Sequence, residues 1–119
     1  KVLTLGNLNA SRDWGHAKDY VHAMWLMLQH TEADDFVCST GVSHTVQDLV
    51  EYVFAKLNLD WKNYVKQDKK FFRSEELEFL KGDCSKAQKV LNWKHEYTFE
   101  TMLDEMIEYW LNYYNKENK

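Results

Sequence analysis

The strand-like segments of this sequence are short and lie far apart along the chain. Residues 2–5 have an alternating pattern with β-branched side chains at two positions, and they run into Gly6-Asn7, which favours a turn. Residues 35–38 and 62–65 are predicted as two more strands. Isolated strands of about four residues do not form a stable sheet by themselves. Their pairing partners are therefore expected on a part of the protein outside these 119 residues.

Apolar residues repeated at intervals of three and four predict helices between these strands. The first helix is predicted over residues 17–29 and the second over residues 46–57. Thr45 and Asp48 form a capping pair for the second helix, and Asn58 is a plausible stop. The inward face of the first helix is predicted to consist of Ala17, Tyr20, Val21, Met24, Trp25 and Leu28.

Two further helices are predicted in the last third of the chain. A short one is capped by Asp83 and ends at Leu91, with Ala87, Val90 and Leu91 facing inward. The strongest amphipathic pattern spans residues 99–114, and the polar residues 115–119 are predicted to form a frayed tail. The fold class that follows is α-rich α/β, and residues 1–119 are expected to form one compact unit.

The balance of charge restricts the partners of the chain. Lys plus Arg number 15 against 19 Asp plus Glu, which gives a formal net charge of −4. Sequence-independent binding to nucleic acid needs a cationic excess, so no nucleic acid is expected as a partner. Binding of a smaller anion would depend on one or two locally placed cations.

Other sequence features bear on the cellular compartment in which the protein is expected. No apolar run reaches the roughly 20 residues that span a bilayer, and no secretory signal is visible, so no membrane partner is expected. Cys38 and Cys84 fit neither a zinc nor a redox spacing, which favours free thiols in a reducing cytosol. The first residue is Lys rather than Met, so the chain is expected to be a piece of something longer.

The histidines do not form a metal-binding pattern. The chain has 5 histidines, and they are dispersed along it. His16 and His22 are six residues apart, so they do not share a helix face. No metal site is therefore expected.

The segment from Gly6 to the first helix has the pattern of an anion-binding loop. Gly6 permits a tight turn, and Arg12 stands just ahead of the helix. An Arg in this place can present its planar fork to a phosphate, with Asp13 or Asp19 to orient it. The spacing alone favours the plainer alternative, an Arg on the surface of a loop. Residues 73–78, taken alone, are likewise typical of a solvated charged surface.

Five segments resemble, in the same order and spacing, the carboxy-terminal part of the GDP-mannose 4,6-dehydratases, a family of extended short-chain dehydrogenases/reductases. The first is Arg-Asp-Trp-Gly-His-Ala at 12–17, of which Trp-Gly-His-Ala points to that family within the wider superfamily. The others are Thr-Gly-Val-Ser-His-Thr-Val at 40–46, Phe-Phe-Arg-Ser-Glu-Glu-Leu at 71–77, Leu-Lys-Gly-Asp-Cys-Ser-Lys-Ala at 80–87 and Leu-Asn-Trp-Lys at 91–94. The resemblance implies the substrate-binding carboxy-terminal part of a Rossmann-type enzyme whose Rossmann core lies mostly outside this chain.

The resemblance implies an NADP-dependent lyase that converts GDP-mannose to its 4-keto-6-deoxy product, the first step towards GDP-fucose. Its catalytic residues and its cofactor site are then expected in the preceding part of the protein. No Gly-x-Gly-x-x-Gly loop occurs among the 4 glycines of this chain. The implied partners are GDP-mannose, an amino-terminal Rossmann part of the same protein, and further copies in a cytoplasmic homo-oligomer.

The resemblance also implies a role for four residues of this chain. Arg12 and Arg73 would hold the diphosphate, Glu76 the ribose hydroxyls, and Asn7 the base or sugar edge. A guanidinium suits a diphosphate, and a carboxylate is an acceptor suited to a diol. Ser74 stands where the family has proline, which removes a fixed φ from the loop that carries Arg73.

Two alternative functions stay open from the sequence. One is another nucleotide-sugar dehydratase or epimerase of the same superfamily. The other is a non-catalytic binding module that keeps the fold without the chemistry.

Overall fold

The regular structure of the chain is divided between two compact units. A computed structural model describes residues 1–117. The first unit contains residues 1–13 and 42–81, and the second contains residues 14–41 and those from 82 onward. The strands are β1 (Leu3–Leu5), β2 (Ser11–Arg12), β3 (His44–Thr45) and β4 (Val65–Gln67). The helices are α1 (Ala17–Gln29), α2 (Val46–Lys56), α3 (Ser85–Leu91) and α4 (Phe99–Glu117).

The strands form two small pairs in the first unit. β1 runs parallel to β4, with Leu3 opposite Val65, and β2 runs antiparallel to β3, with Arg12 opposite His44. The strand predicted at residues 2–5 is confirmed, but the expectation that its partner lies outside the chain is wrong. β2 and β3 are two residues long and pair across more than thirty residues of sequence, which no periodicity can indicate.

The strand predicted at residues 62–65 is wrong in its placement. Trp61–Asn63 form a short 3₁₀ turn instead, and β4 begins only at Val65. The side chain of Asp60 accepts a hydrogen bond of 3.1 Å from the backbone N–H of Lys62, which stabilises the turn against an extended chain.

Helix α2 begins and ends at the predicted signals. The hydroxyl of Thr45 accepts from the N–H of Asp48 at 3.0 Å, and the Asp48 carboxylate accepts from the N–H of Thr45 at 2.8 Å. These two bonds form a reciprocal capping box. Asn58 follows the helix with a φ of 56°, a left-handed conformation that asparagine tolerates well. Both predictions are confirmed.

Replacing Thr45 with alanine should lower the free energy of unfolding by about 1 kcal/mol, since the N–H of Asp48 then loses its acceptor. Urea unfolding followed by circular dichroism measures the loss. Thr45→Ser keeps the hydroxyl and should leave the free energy within about 0.5 kcal/mol. Equal losses in the two variants would contradict the capping role.

The core of the first unit is small and lies between α2 and the strands. Leu8, Val50 and Val65 are buried there. The partly buried side chains packed against them are Leu5, Val46, Phe54 and Trp61. This packing joins the inner side of α2 to β1 and β4, and thereby fixes the place of β2, which the Gly6 loop connects to β1.

The second unit has a core centred on α3. Trp93 is fully buried, and it is clustered with Ala23 of α1 and with Cys84, Ala87 and Leu91. The indole N–H of Trp93 donates to the backbone carbonyl of Asp19 at 2.9 Å. Cys38, packed against this cluster, and Cys84 are both free thiols. Burial raises the pKa of the Cys38 thiol.

The predicted inward face of α1 is confirmed at Tyr20, which packs against the core, but is wrong for most of its other members. The buried residues of this helix are Asp19 and Ala23, whereas Val21, Met24, Trp25 and Leu28 are 62%, 59%, 55% and 82% exposed. The helical period was correct, but the side of α1 that packs within residues 1–117 is the side that carries Asp19 and Ala23. Val90 of α3, also predicted to face inward, is 44% exposed.

Helix α4 is buried near its start and exposed along the rest of its length. Phe99, Met102 and Leu103 are buried, but the apolar residues from Met106 to Tyr114 are mostly exposed. The helix runs to Glu117, beyond the predicted end at residue 114, and residues 118 and 119 of the predicted frayed tail lie outside the described residues. None of the helices in residues 1–117 is both long and apolar enough to cross a bilayer.

The strand predicted at residues 35–38 does not form within residues 1–117. A strand needs a hydrogen-bonded neighbour, and no described segment pairs with this one. The ammonium group of Lys86 donates to the carbonyl of Asp35 at 2.8 Å and pairs with Asp34 at 2.9 Å. Val37 remains 56% exposed.

Candidate functional site

A short segment, residues 76–80, lies along strand β2 in the first unit. The N–H of Ser11 donates to the carbonyl of Glu78 at 2.7 Å, and the N–H of Leu80 donates to the carbonyl of Ser11 at 3.0 Å. The hydroxyl of Ser43 donates to the carbonyl of Leu80 at 2.8 Å. Backbone bonds therefore fasten this segment to β2 and bring Glu76 towards Arg12.

Arg12 is bound on three sides by protein oxygens. Its Nη1 donates to the carbonyls of Ser11 and Leu77, both at 2.7 Å. Its Nη2 approaches the Oε1 of Glu76 at 3.4 Å, and the two side chains are 23% and 20% exposed. Glu76 is thus the carboxylate that pairs with Arg12, whereas Asp13 or Asp19 had been expected in that role.

Arg12, Arg73 and Glu76 share one pocket of about 150 Å³. Glu75, Leu77 and Leu80 complete its lining. Arg73 is exposed, and it makes no hydrogen bond or ion pair with any residue of the described range 1–117. The pocket thus combines a cation bound to protein groups, an open cation and two carboxylates, beside apolar leucine side chains.

Asn7 does not line this pocket within residues 1–117. Its side-chain oxygen accepts a hydrogen bond of 3.0 Å from the N–H of Asn9, a local turn. The neighbouring residue must be glycine because the backbone of Phe71 packs closely against Gly6, and not because of its φ. A Cβ at this position would lie 2.7 Å from the carbonyl oxygen of Phe71, two residues before Arg73.

Residues 14–17 of the Arg-Asp-Trp-Gly-His-Ala segment and helix α1 belong to the second unit. His16 caps α1, accepting from the N–H of Lys18 at 3.0 Å through Nδ1, and its Nε2 lies 3.3 Å from Glu105. A hydrogen bond with the Tyr97 hydroxyl and a second one with His16 lower the pKa of the Glu105 carboxyl. Hydrogen bonding to Tyr97 and the charge of Glu105 raise the pKa of Lys18.

Asp19 has a role that the sequence did not reveal. It is 4% exposed, and its carboxylate accepts from the backbone N–H groups of Glu96 and Tyr97 at 2.8 and 3.1 Å. A buried carboxylate needs such donors, so Asp19 fixes the chain that leads into α4. Asp19 is buried although several apolar side chains of the same helix are exposed, and the helical period does not predict this.

No group of three metal-ligating side chains is placed to hold a metal ion anywhere in residues 1–117. The pocket places the guanidinium groups of Arg12 and Arg73 beside the carboxylates of Glu75 and Glu76, so its formal charges balance.

Comparison with solved structures identifies the fold. The structure of RMD from Pseudomonas aeruginosa complexed with NADPH superimposes with a TM-score of 0.80 at 23% identity, over 91% of this chain and 35% of that one. A dTDP-glucose 4,6-dehydratase from Bacillus anthracis in complex with NAD gives a TM-score of 0.82 at 20% identity, over 94% and 35%. The chain therefore has the fold of about a third of each of these two enzymes, which confirms the predicted fold class.

Sequence comparison defines the family within that class. The model of the family described as GDP-mannose 4,6 dehydratase matches residues 1–106. GDP-mannose 4,6 dehydratase 2 of Arabidopsis thaliana is 50% identical over 106 residues, which cover 89% of this chain and 28% of that protein. The chain belongs to the GDP-mannose 4,6-dehydratase family, which confirms the resemblance, and it spans a little over a quarter of that relative's length.

Proposed function

We propose that this chain is the nucleotide-sugar-binding part of a GDP-mannose 4,6-dehydratase. The complete enzyme would be an NADP-dependent lyase that converts GDP-D-mannose to GDP-4-keto-6-deoxy-D-mannose and water on the route to GDP-fucose. Family membership supports the reaction. The observation that carries the binding role is the shared pocket of Arg12, Arg73 and Glu76, which brings together residues more than sixty positions apart in the sequence.

Each of the four candidate site residues has a proposed role in binding the ligand. Arg73, which has no protein partner within residues 1–117, would meet the diphosphate with its planar fork. Glu76 would accept from the ribose hydroxyls, and Arg12 would contribute the second cation of the pocket. The side-chain oxygen of Asn7 is already bound to Asn9, so its NH₂ group would contact the base or sugar edge.

The size of the pocket indicates that it receives only part of the ligand. Its volume of about 150 Å³ is well below the roughly 300–1,000 Å³ of pockets that enclose a whole small molecule. The diphosphate and ribose would lie here, and the hexose would lie on a part of the enzyme outside this chain. Binding energy from the nucleotide then positions the hexose for reaction.

The catalytic and cofactor roles are assigned to that other part. P. aeruginosa RMD is complexed with NADPH and the B. anthracis enzyme with NAD, which supports a nicotinamide cofactor, and we propose NADP. NADP would supply hydride exchange with the sugar. This chain has no glycine-rich dinucleotide loop, so none of its residues is assigned to the cofactor.

The exposed apolar faces of the second unit support an amino-terminal Rossmann part as the structural partner. Met24, Trp25 and Leu28 of α1 and Trp110 of α4 are 59%, 55%, 82% and 49% exposed. Large apolar side chains exposed together are typical of a contact surface. We further propose that the complete enzyme is a cytoplasmic homo-oligomer in which residues 1–119 of each subunit form one nucleotide-sugar-binding portion. The free thiols of Cys38 and Cys84 support a reducing compartment.

Titration of the full-length protein with GDP, UDP and dTDP distinguishes the proposed function from another specificity in the superfamily. GDP should bind at least about tenfold more tightly than the other two, a difference of about 1.4 kcal/mol. Isothermal titration calorimetry measures the three affinities. Preference for UDP or dTDP would favour a different nucleotide-sugar enzyme, and GDP binding without turnover of GDP-mannose would favour a binding module.

A further inference from the structure

The donors of Arg12 are largely committed to the protein before any ligand arrives. A guanidinium has five N–H donors in a fixed plane. Nη1 donates to the carbonyls of Ser11 and Leu77 at 2.7 Å each, and Nη2 faces Glu76. The three oxygens come from β2 and from the neighbouring segment 76–80, so one side chain clamps the two together.

Arg12 holds the part of the segment that precedes its first backbone hydrogen bond to β2, which is made by Glu78. Glu78 and Leu80 are held to Ser11 by their own backbone groups, and Phe79 bridges to Ser11 as well. Glu76 lies beyond these bonds, so Arg12 reaches it directly at 3.4 Å and indirectly through the Leu77 carbonyl. Without the guanidinium, the side of the segment that carries Glu76 would lose both attachments.

The geometry leaves Glu76 able to accept further hydrogen bonds. The separation of 3.4 Å is longer than the roughly 2.7–2.9 Å of a strong charge-assisted bond. A carboxylate offers about four lone-pair sites, of which Arg12 occupies one. Glu76 can therefore be held in place by Arg12 and still accept from two hydroxyl groups of a ligand.

We propose that Arg12 is a positioning residue for Glu76, and that its contribution to nucleotide binding passes through the ribose hydroxyls. This inference rests on the proposed function, in which Glu76 binds the ribose. It assigns the diphosphate chiefly to Arg73, the pocket cation without a partner in residues 1–117. Arg12 then determines whether the enzyme distinguishes a ribose from a sugar that lacks the diol.

The test compares GDP with 2′,3′-dideoxy-GDP, which keeps the base and the diphosphate. The full-length wild-type protein should bind GDP roughly tenfold or more tightly than the dideoxy ligand, because the bonds to Glu76 are lost. Arg12→Gln should bind both ligands with affinities within about threefold of each other. Arg12→Lys should behave similarly, since one ammonium cannot reproduce the planar fork.

Arg73→Gln is the matched control, because it removes the other guanidinium of the same pocket. This variant should weaken both ligands by a similar factor and keep the discrimination of about tenfold. The ratio of two affinities measured on one preparation does not depend on the fraction of folded protein. A poorly folding Arg12 variant is therefore still informative.

The outcomes separate the inference from the function on which it rests. Full discrimination in Arg12→Gln and Arg12→Lys, with both ligands weakened equally, would overturn the positioning role and return Arg12 to the diphosphate. A wild-type protein that binds GDP without discrimination would overturn the ribose role of Glu76. Absence of GDP binding by the wild type would overturn the proposed function itself.

Discussion

Replacing Trp93 with alanine is expected to lower the free energy of unfolding by about 3–5 kcal/mol, the range for large aromatic side chains removed from a core. Trp93 is fully buried and lies at the centre of the cluster formed with Ala23, Ala87 and Leu91. The substitution would leave a large cavity and remove the donor to the carbonyl of Asp19. Urea unfolding monitored by far-ultraviolet circular dichroism measures the change.

Two further variants separate the contributions to this loss. Trp93→Phe keeps most of the apolar volume but loses the indole N–H, so a loss of about 1–3 kcal/mol is expected. Val90→Ala, on the exposed side of α3, should change the free energy of unfolding by less than about 1 kcal/mol. A larger loss at Val90 than at Trp93 would mean that the core of this unit lies on the other face of α3.

Helix positions were predictable because their determinants lie close together in the sequence. The bounds of α1 agree with the predicted residues 17–29, and α2 ends one residue before its predicted end. Thr45 and Asp48 are three residues apart, and their reciprocal bonds form wherever a helix starts between them. Asn58 stops α2 through its own left-handed conformation.

The buried face of a helix was not predictable in the same way, because it depends on what packs against the helix. Val21 and Met24 follow the helical period as closely as core residues do, yet they are more than half exposed. Asp19, a charged residue, is buried instead, because Glu96 and Tyr97 supply its donors from a distant part of the chain. Period indicates that a helix has an apolar face but does not identify the neighbour that covers it.

For the candidate site, too, the residues could be predicted from the sequence, but their contacts with one another could not. The family pattern indicated Arg12, Arg73 and Glu76 individually, and the structure brings these three side chains to one pocket. The pairing of Arg12 with Glu76 spans 64 residues and depends on the bonds between Ser11 and the segment 76–80. Nothing in the sequence distinguished Glu76 from Asp13 as the partner of Arg12. Asn7 belongs to a local turn, and its proposed contact with the ligand stays a prediction.

Replacing Arg73 with alanine in the full-length enzyme is expected to raise KM for GDP-mannose about tenfold or more, with a smaller effect on kcat. A charged hydrogen bond contributes about 1.5–3 kcal/mol, and about 1.4 kcal/mol corresponds to tenfold in affinity. The diphosphate keeps its charge through the reaction, so the lost contact affects ground state and transition state alike, which changes KM rather than kcat. Steady-state kinetics and GDP titration measure the two quantities.

Lys62→Ala provides the control for a general effect of charge, because Lys62 is an exposed cation of the same unit that does not line the pocket. Its KM should stay within about twofold of the wild type, since an exposed charge farther away is largely screened by salt. Raising the ionic strength should weaken GDP binding to the wild type more than to Arg73→Ala, because the variant has lost one of the charges that salt screens. An unchanged KM and an unchanged GDP affinity in Arg73→Ala would remove Arg73 from the site, and the pocket would then have no unpaired cation with which to hold a diphosphate.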